Sequence, residues 1–330
     1  MNNSFVERKV FVNSAVTLAA TLAIPEKNSK KMPAVVLISG TGTTDRDGNM
    51  PKMQSNIYKD LSDFFVSEGF VTIRYDKRGV GESKGVHYET GFNDLVDDVI
   101  ANVNYLEELD FVDKDKIILC GHSEGTMVAT IANVRHNVAG MVLIAGAGAT
   151  LRTALEYQNW LVLQETRITR GLKGLILRKL INEKNYLKNV NALFDKCCST
   201  DKDVIRVMGR KMSAKWIREH NSLTDQGMIE AIENADCPVL AVTGEKDVQA
   251  NPEDINKISN LKLPHVTCSI IPGMDHFLRR YSGEKSVLNV KKQYANELSQ
   301  PIHENLLIDI RQWVRKVGIN FINSLPFSEN

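Results

Sequence analysis

Four apolar residues, Ile117-Ile118-Leu119-Cys120, run straight into Gly121-His122-Ser123-Glu124-Gly125, and the chain leaves as Thr126-Met127-Val128-Ala129-Thr130-Ile131-Ala132. A strand-length run followed at once by a helix-compatible one leaves five residues for the change from extended to helical backbone. Gly-x-Ser-x-Gly suits that junction. Its glycines remove side chains that would collide in the turn, and its serine is pushed out in a strained, accessible position. A chain built around such a junction is expected to be α/β, with the strand in a sheet and the helix packed on it.

The pattern alone decides little, because Gly81-Glu82-Ser83-Lys84-Gly85 matches it too. There the preceding residues are the polar, glycine-containing Arg78-Gly79-Val80, and the following Val86-His87-Tyr88-Glu89-Thr90-Gly91 is not helical. Context therefore selects Ser123 as the candidate nucleophile and leaves Ser83 as a loop residue.

The rest of the chain repeats the strand-then-helix rhythm. Val10 to Val12 and Val16 to Ile24 read as two strands joined at Asn13-Ser14. Ala34 to Ile38 is wholly apolar, as expected for a strand covered on both faces. Helix Ile57–Ser67, strand Phe70–Tyr75, helix Phe92–Leu109, strand Ile117–Cys120, helix Thr126–Asn133 and strand Gly140–Ala145 follow, predicting a mostly parallel, doubly wound sheet behind an N-terminal antiparallel hairpin. From Ala149 to Asn234 the periodicity is helical, rich in charge and without a strand pattern. Alternation resumes with strand Pro238–Thr243, a short helix near Pro252–Ile258, strand Val266–Ile271 and an amphipathic helix Ile302–Val317. We expect one core domain in two parts, 1–148 and 236–330, interrupted by a helical lid or cap insertion, 149–235, over the crevice at the strands' carboxyl ends.

A serine hydroxyl needs a base. Of seven histidines, His276 alone follows a late strand through a tight turn, Pro272-Gly273-Met274-Asp275, where the sheet presents the serine. His122 sits inside the elbow facing away from the attack direction. His87, His136, His220, His265 and His303 fall in loops or at element ends and read as solvated structural residues. The orienting acid should lie between serine and base in chain order. Asp247, just past strand Val239–Val242, fits; Glu245 falls in the turn itself, Asp254 on a helix, and a helix-capping role for Asp247 is the alternative. Two backbone amides are needed to hold an oxyanion: that of Glu124, after the nucleophile, and one from Ser39-Gly40-Thr41-Gly42, with Thr41 the leading candidate.

Bulk properties narrow the remaining classes. A net charge of +1 offers no field for nucleic acid. No stretch approaches the ~20 apolar residues of a membrane span, and the first residues lack a secretory layout. Five cysteines, an odd number without metal-type spacing, fit a reduced, cytoplasmic setting. No metal, cofactor or nucleotide motif is present: the Gly40–Gly48 loop lacks the Lys-Ser/Thr ending of a phosphate loop. A small-molecule acyl substrate is the expected partner, and a homo-oligomer is compatible with the sequence.

Taken together, these residues resemble the α/β-hydrolase superfamily, and more narrowly its bacterial esterase and serine-aminopeptidase-like branch. The similarity rests on Leu18-Ala19-Ala20-Thr21-Leu22, Val35–Ile38, Ser39-Gly40-Thr41-Gly42, Asp45-Arg46-Asp47-Gly48 and Arg74-Tyr75-Asp76-Lys77-Arg78-Gly79-Val80-Gly81-Glu82-Ser83. It covers roughly residues 15–148 and 236–325 and leaves the insertion unmatched. It implies an α/β-hydrolase fold and a carboxylic ester hydrolase working through an acyl-enzyme, with Asp76 and Arg78 as a structural ion pair. Ser39, where lipases commonly carry histidine, departs from the lipase pattern. Thioesterase, aminopeptidase and acyltransferase chemistry use the same constellation, and a non-catalytic binding protein on this fold is the reading from outside the enzymes.

Overall fold

The computed structural model describes residues 5–26, 31–51 and 53–319; the leader reading at Met1–Ser4 and the end of the second core part, 320–330, lie outside the described residues. A hairpin, β1 (Phe5–Asn13) and β2 (Thr17–Pro25), opens the chain. Alternation follows: β3 (Met32–Ile38), α1 (Ile57–Ser67), β4 (Val71–Tyr75), α2 (Phe92–Glu107), β5 (Val112–His122), α3 (Glu124–Arg135) and β6 (Gly140–Ile144). An insert then runs through α4 (Leu151–Ile168), α5 (Gly171–Leu180), α6 (Lys188–Cys198), β7 (Val204–Val207), β8 (Arg210–Ser213), α7 (Ala214–Asn221) and α8 (Asp225–Glu233). The chain closes with β9 (Val239–Gly244), α9 (Ile255–Ser259), β10 (Val266–Ile271), α10 (Val290–Glu297) and α11 (Glu304–Lys316).

Eight strands form one sheet in the order β1-β2-β4-β3-β5-β6-β9-β10. The hairpin adds antiparallel to β4, and the strands from β4 to β10 pair parallel. Side-chain alternation explains why the central strands carry no polar face. Val36, Leu119 and Leu143 point into one buried layer with Val99 of α2 and Val128 of α3. Their neighbours Val35, Leu37, Ile118, Cys120 and Val142 point into the other, with Phe65 of α1 and Leu306, Ile310 and Trp313 of α11. With both faces covered by helices, a continuous apolar strand is the stable solution. The core has the α/β-hydrolase architecture that the residues imply.

Two elements depart from the sequence reading. Residues 149–234 carry a hairpin, β7–β8, although no strand pattern is visible there: each strand is four residues long, turned by Met208 and Gly209 at positive φ. Four residues between charged neighbours are too few for a period-2 signal to stand out. The hairpin is held from outside, by Ser213 Oγ donating to the Thr90 carbonyl at 3.0 Å. Helix α10 is likewise unanticipated; its sequence, VKKQYANE, has only Val290, Tyr294 and Ala295 as apolar residues.

Candidate active site

Gly121 and Gly125 show why the elbow needs its glycines. A methyl group at Gly121 would come within 2.1 Å of the Gly125 carbonyl oxygen, and one at Gly125 within 2.3 Å of the Ile38 carbonyl. Packed this tightly between β5, β3 and α3, the chain turns with Ser123 at φ 56° and ψ −122°, a left-handed conformation costly for a residue with a side chain. The Ser123 amide is pinned to the Ile144 carbonyl at 2.9 Å, so the strained geometry is over-determined. Its side chain opens onto a cavity of about 490 Å³ at the carboxyl ends of the parallel strands.

His276 opens onto the same cavity, and its Nδ1 bonds Asp247 Oδ2 at 2.8 Å. Asp247 is fully buried. Its second oxygen accepts the amides of Gln249 at 2.7 Å and Ala250 at 2.9 Å. The capping alternative for Asp247 is thus present beside the imidazole contact: one oxygen orders the loop, the other the ring. Glu245 lies away from this contact, half exposed, accepting from the Gly273 amide at 3.0 Å. Asp254 ends a short helical turn and pairs with Lys257 at 2.8 Å.

The elbow's own histidine does more than the sequence suggested. Burial, then the adjacent His276, push the His122 pKa down to about 3, so the ring is neutral. Burial also raises the Tyr58 phenol well above its ordinary value, so it keeps its proton. These states give the hydrogen bonds a direction. The Gly40 amide donates to Tyr58 Oη (2.7 Å), Tyr58 donates to His122 Nδ1 (3.1 Å), and His122 Nε2–H donates to the His276 carbonyl (2.9 Å). The chain ties the β3 loop, the elbow and the base-bearing loop to one another.

Thr41 and Glu124 both line the cavity. As the first residue of α3, Glu124 has an amide with no carbonyl one turn back inside the helix. Gly40 packs directly on the nucleophile: a methyl there would sit 2.9 Å from Ser123 Cβ. The carbonyl of Gly40 accepts from Lys77 Nζ at 2.5 Å. In a trans peptide the following N–H points opposite to that carbonyl; anchoring the Gly40 oxygen therefore aims the Thr41 amide the other way.

Lys77 is buried and 3.8 Å from the Glu124 carboxylate. That carboxylate also receives Trp216 Nε1 at 2.5 Å and His220 Nε2 at 3.0 Å, both from α7 of the insert. Burial alone would raise the Glu124 pKa; His220, Lys77 and Trp216 outweigh it and hold it down to about 2. His220 is therefore a buried, bonded residue and not a solvated one, and His303 is buried as well. For His220 chain position alone conceals this, since its partner Glu124 lies 96 residues away.

The decoy serine is explained too. Ser83 Oγ donates to the Asp76 carbonyl at 2.6 Å and accepts the Ala19 amide at 2.8 Å, locking a loop to β2. Asp76 and Arg78 are both structural, but not with each other. Asp76 accepts the amides of Arg46 at 2.7 Å and Glu82 at 2.9 Å, whereas Arg78 pairs with Asp98 at 2.8 Å and Asp94 at 3.0 Å.

The insert reaches the cavity through α4, whose Leu151, Ala154, Leu155 and Gln158 line it. It is fastened to the acid loop by Gln158 Nε2 on the Gln249 carbonyl (2.9 Å) and Tyr157 Oη on the Asp247 carbonyl (3.3 Å). Val290 and Tyr294 of α10 close another side, with Phe277 beside the base. The lining is chiefly apolar, and its size falls within the roughly 300–1,000 Å³ of small-molecule sites. Among the described residues no cluster of three His, Cys, Asp or Glu side chains is placed to hold a metal ion, and no helix is long and apolar enough to cross a membrane.

Comparison with known proteins agrees with this architecture. Esterase EstD of Thermotoga maritima is 31% identical over 155 residues, 47% of this chain and 36% of the esterase; the shared stretch spans little more than a third of that relative. Among solved structures, Est1E of Butyrivibrio proteoclasticus with bound ferulic acid superposes with a TM-score of 0.56 at 19% identity, covering 87% of this chain and 96% of that one. A proline iminopeptidase of Mycobacterium smegmatis gives 0.57 at 16% identity, covering 94% and 98%. At these identities the structures speak for the fold. Residues 52–280 match the family described as serine aminopeptidase, S33, well over half the chain, and the chain therefore belongs to that family of α/β hydrolases.

Proposed function

We propose that the protein hydrolyses carboxylic esters of a small, apolar acyl group through an acyl-enzyme formed on Ser123. The observation that carries this reading is the 2.8 Å bond from His276 to buried Asp247 beside a serine held in left-handed strain, all at one apolar cavity. Ser123 Oγ attacks the acyl carbon while its proton passes to His276 Nε2. Asp247 holds the ring in the tautomer with Nδ1 protonated and stabilises the imidazolium. The negative charge developing on the carbonyl oxygen is met by the amides of Glu124 and Thr41. His276 then gives its proton to the leaving alkoxide. In the second half, His276 takes a proton from water, the resulting hydroxide attacks the acyl carbon, and the acid departs as Ser123 regains its hydrogen.

The domain division 1–148, 149–235 and 236–330, with the insert as a lid, belongs to this proposal, supported by α4 over the cavity. So does a reducing, cytoplasmic location, supported by five unpaired cysteines.

An aminopeptidase needs a free carboxylate for the substrate's ammonium group. The two carboxylates lining the cavity, Glu124 and Asp254, already face cations: the first is bonded by His220 and Trp216 with Lys77 beside it, and the second is paired through one oxygen with Lys257, its other oxygen being buried without a hydrogen-bond partner. This favours esters over aminoacyl amides. A panel of p-nitrophenyl esters against aminoacyl p-nitroanilides tests the preference, and labelling by a fluorophosphonate tests the nucleophile. Ser123→Ala should abolish labelling and turnover; wild-type activity in that variant would defeat the mechanism, and faster amide than ester cleavage would defeat the substrate class.

A further inference from the structure

Helix α5 sits in the insert the wrong way round for a soluble protein. Its one buried residue is Gly174, where an added methyl would fall 1.9 Å from the Thr169 carbonyl. The helix thus seats by its backbone on the end of α4 and turns its bulky side chains outward. Leu172, Leu175, Ile176 and Leu180 are 74%, 56%, 51% and 65% exposed, and Ile168 at the end of α4 is 78% exposed. Spacings of three and four place the four α5 residues on one face. Scattered exposed apolar side chains are ordinary; a contiguous face of this kind marks an interaction surface.

Charge identifies the partner. Between Arg167 and Lys188 the chain carries Arg167, Arg170, Lys173, Arg178, Lys179, Lys184 and Lys188 against the single acid Glu183. Glu183 is taken by Arg167, and Arg178 caps the carbonyls of Thr166 and Thr169. Among the described residues Arg170, Lys173, Lys179, Lys184 and Lys188 form no ion pair. A second copy of the chain would set this cationic face against itself. An apolar stripe with unpaired lysines and arginines at its borders instead suits a layer with anionic headgroups over hydrocarbon.

We propose that α5 lies in the surface of an anionic phospholipid bilayer, with Leu172, Leu175, Ile176 and Leu180 entering the acyl boundary and Lys173 and Lys179 reaching phosphate. The helix is ten residues long, so it rests on the membrane and does not span it. The docking itself is independent of serine chemistry.

The test is flotation of the whole chain with vesicles of phosphatidylcholine alone or with about 30 mol% phosphatidylserine, in about 0.1 M and about 0.5 M salt. Binding should be at least about tenfold tighter to the anionic vesicles at low salt. Lys173→Glu/Lys179→Glu should erase that preference, and Leu172→Gln/Ile176→Gln should weaken binding to both vesicles. Ser123→Ala should bind like wild type, which separates this proposal from the catalytic one. Both double variants should keep the wild-type melting curve and hydrolysis of a water-soluble ester, since α5 does not line the cavity. Absence of binding to anionic vesicles overturns the proposal. So does binding that is indifferent to the Leu172 and Ile176 changes, and so does a dimer in sedimentation that those same changes dissociate while vesicles go unbound.

Discussion

Replacing Lys77 by methionine tests the aiming of the Thr41 amide, the second oxyanion donor of the proposed mechanism. Methionine keeps an unbranched side chain of similar length and removes the ammonium that holds the Gly40 carbonyl at 2.5 Å. Hydrogen bonds to charged groups contribute about 1.5–3 kcal/mol net. Outright loss of one oxyanion donor costs about 10²–10³ in kcat. Here the Thr41 amide survives but loses its fixed direction, so a fall in kcat of about 10- to 100-fold, or about 1.4–2.7 kcal/mol, is expected. Glu124 is not orphaned by the change, because His220 and Trp216 still donate to it, so the fold should persist. KM should move by less than about threefold, since the interaction belongs to the transition state. Steady-state kinetics on a short p-nitrophenyl ester, with the rate of fluorophosphonate labelling alongside, measures both, as the phosphonyl adduct uses the same donors. An unchanged kcat, or a raised KM at constant kcat, would refute the reasoning.

Asp247→Asn should leave the loop ordered, because the amide oxygen can still accept from Gln249 and Ala250, yet lower kcat by up to about 10⁴-fold by disfavouring the required His276 tautomer; kinetics together with a thermal melt check both halves. The carboxylate of Glu124 moves from an ordinary 4.5 to about 2 on folding, worth on the order of 3 kcal/mol. A depressed acid stabilises above its unfolded pKa, so Glu124→Gln should lie about that far below wild type at pH 7, and urea titrations should show the gap closing as pH falls from about 4.5 toward 2. Gly121→Ala drives a methyl into the Gly125 carbonyl, 2.1 Å away in rigid backbone, and should cost at least about 3 kcal/mol or prevent soluble expression; a urea midpoint matching wild type would contradict the packing argument.

Much of the site was legible before the fold was known, for a physical reason. The strand-turn-helix at Ser123, the loop after β9 bearing Asp247 and the turn before His276 are local events, and local backbone requirements leave local traces: apolar runs, glycines in tight turns, acids after strands. The same local grounds exclude Ser83, and its two bonds to Asp76 and Ala19 explain what it does instead. The β7–β8 hairpin left no such trace, being too short for its alternation to register.

What the amino-acid sequence by itself determined, then, is the layered sheet, the strained serine and the order of its partners, each being dictated by residues within a few positions of one another. Only the tertiary structure decided how the site is held. Trp216 and His220 reach Glu124 from 92 and 96 residues away, and Lys77 reaches the Gly40 carbonyl from 37. Tyr58 bonds His122 across 64 residues and His122 bonds His276 across 154. A hydrogen bond depends on where two atoms stand in space, and no periodicity along the chain records that. The outward face of α5 divides the same way: its leucines and lysines are plain in the sequence, but only the seating of Gly174 on the end of α4 turns them to solvent.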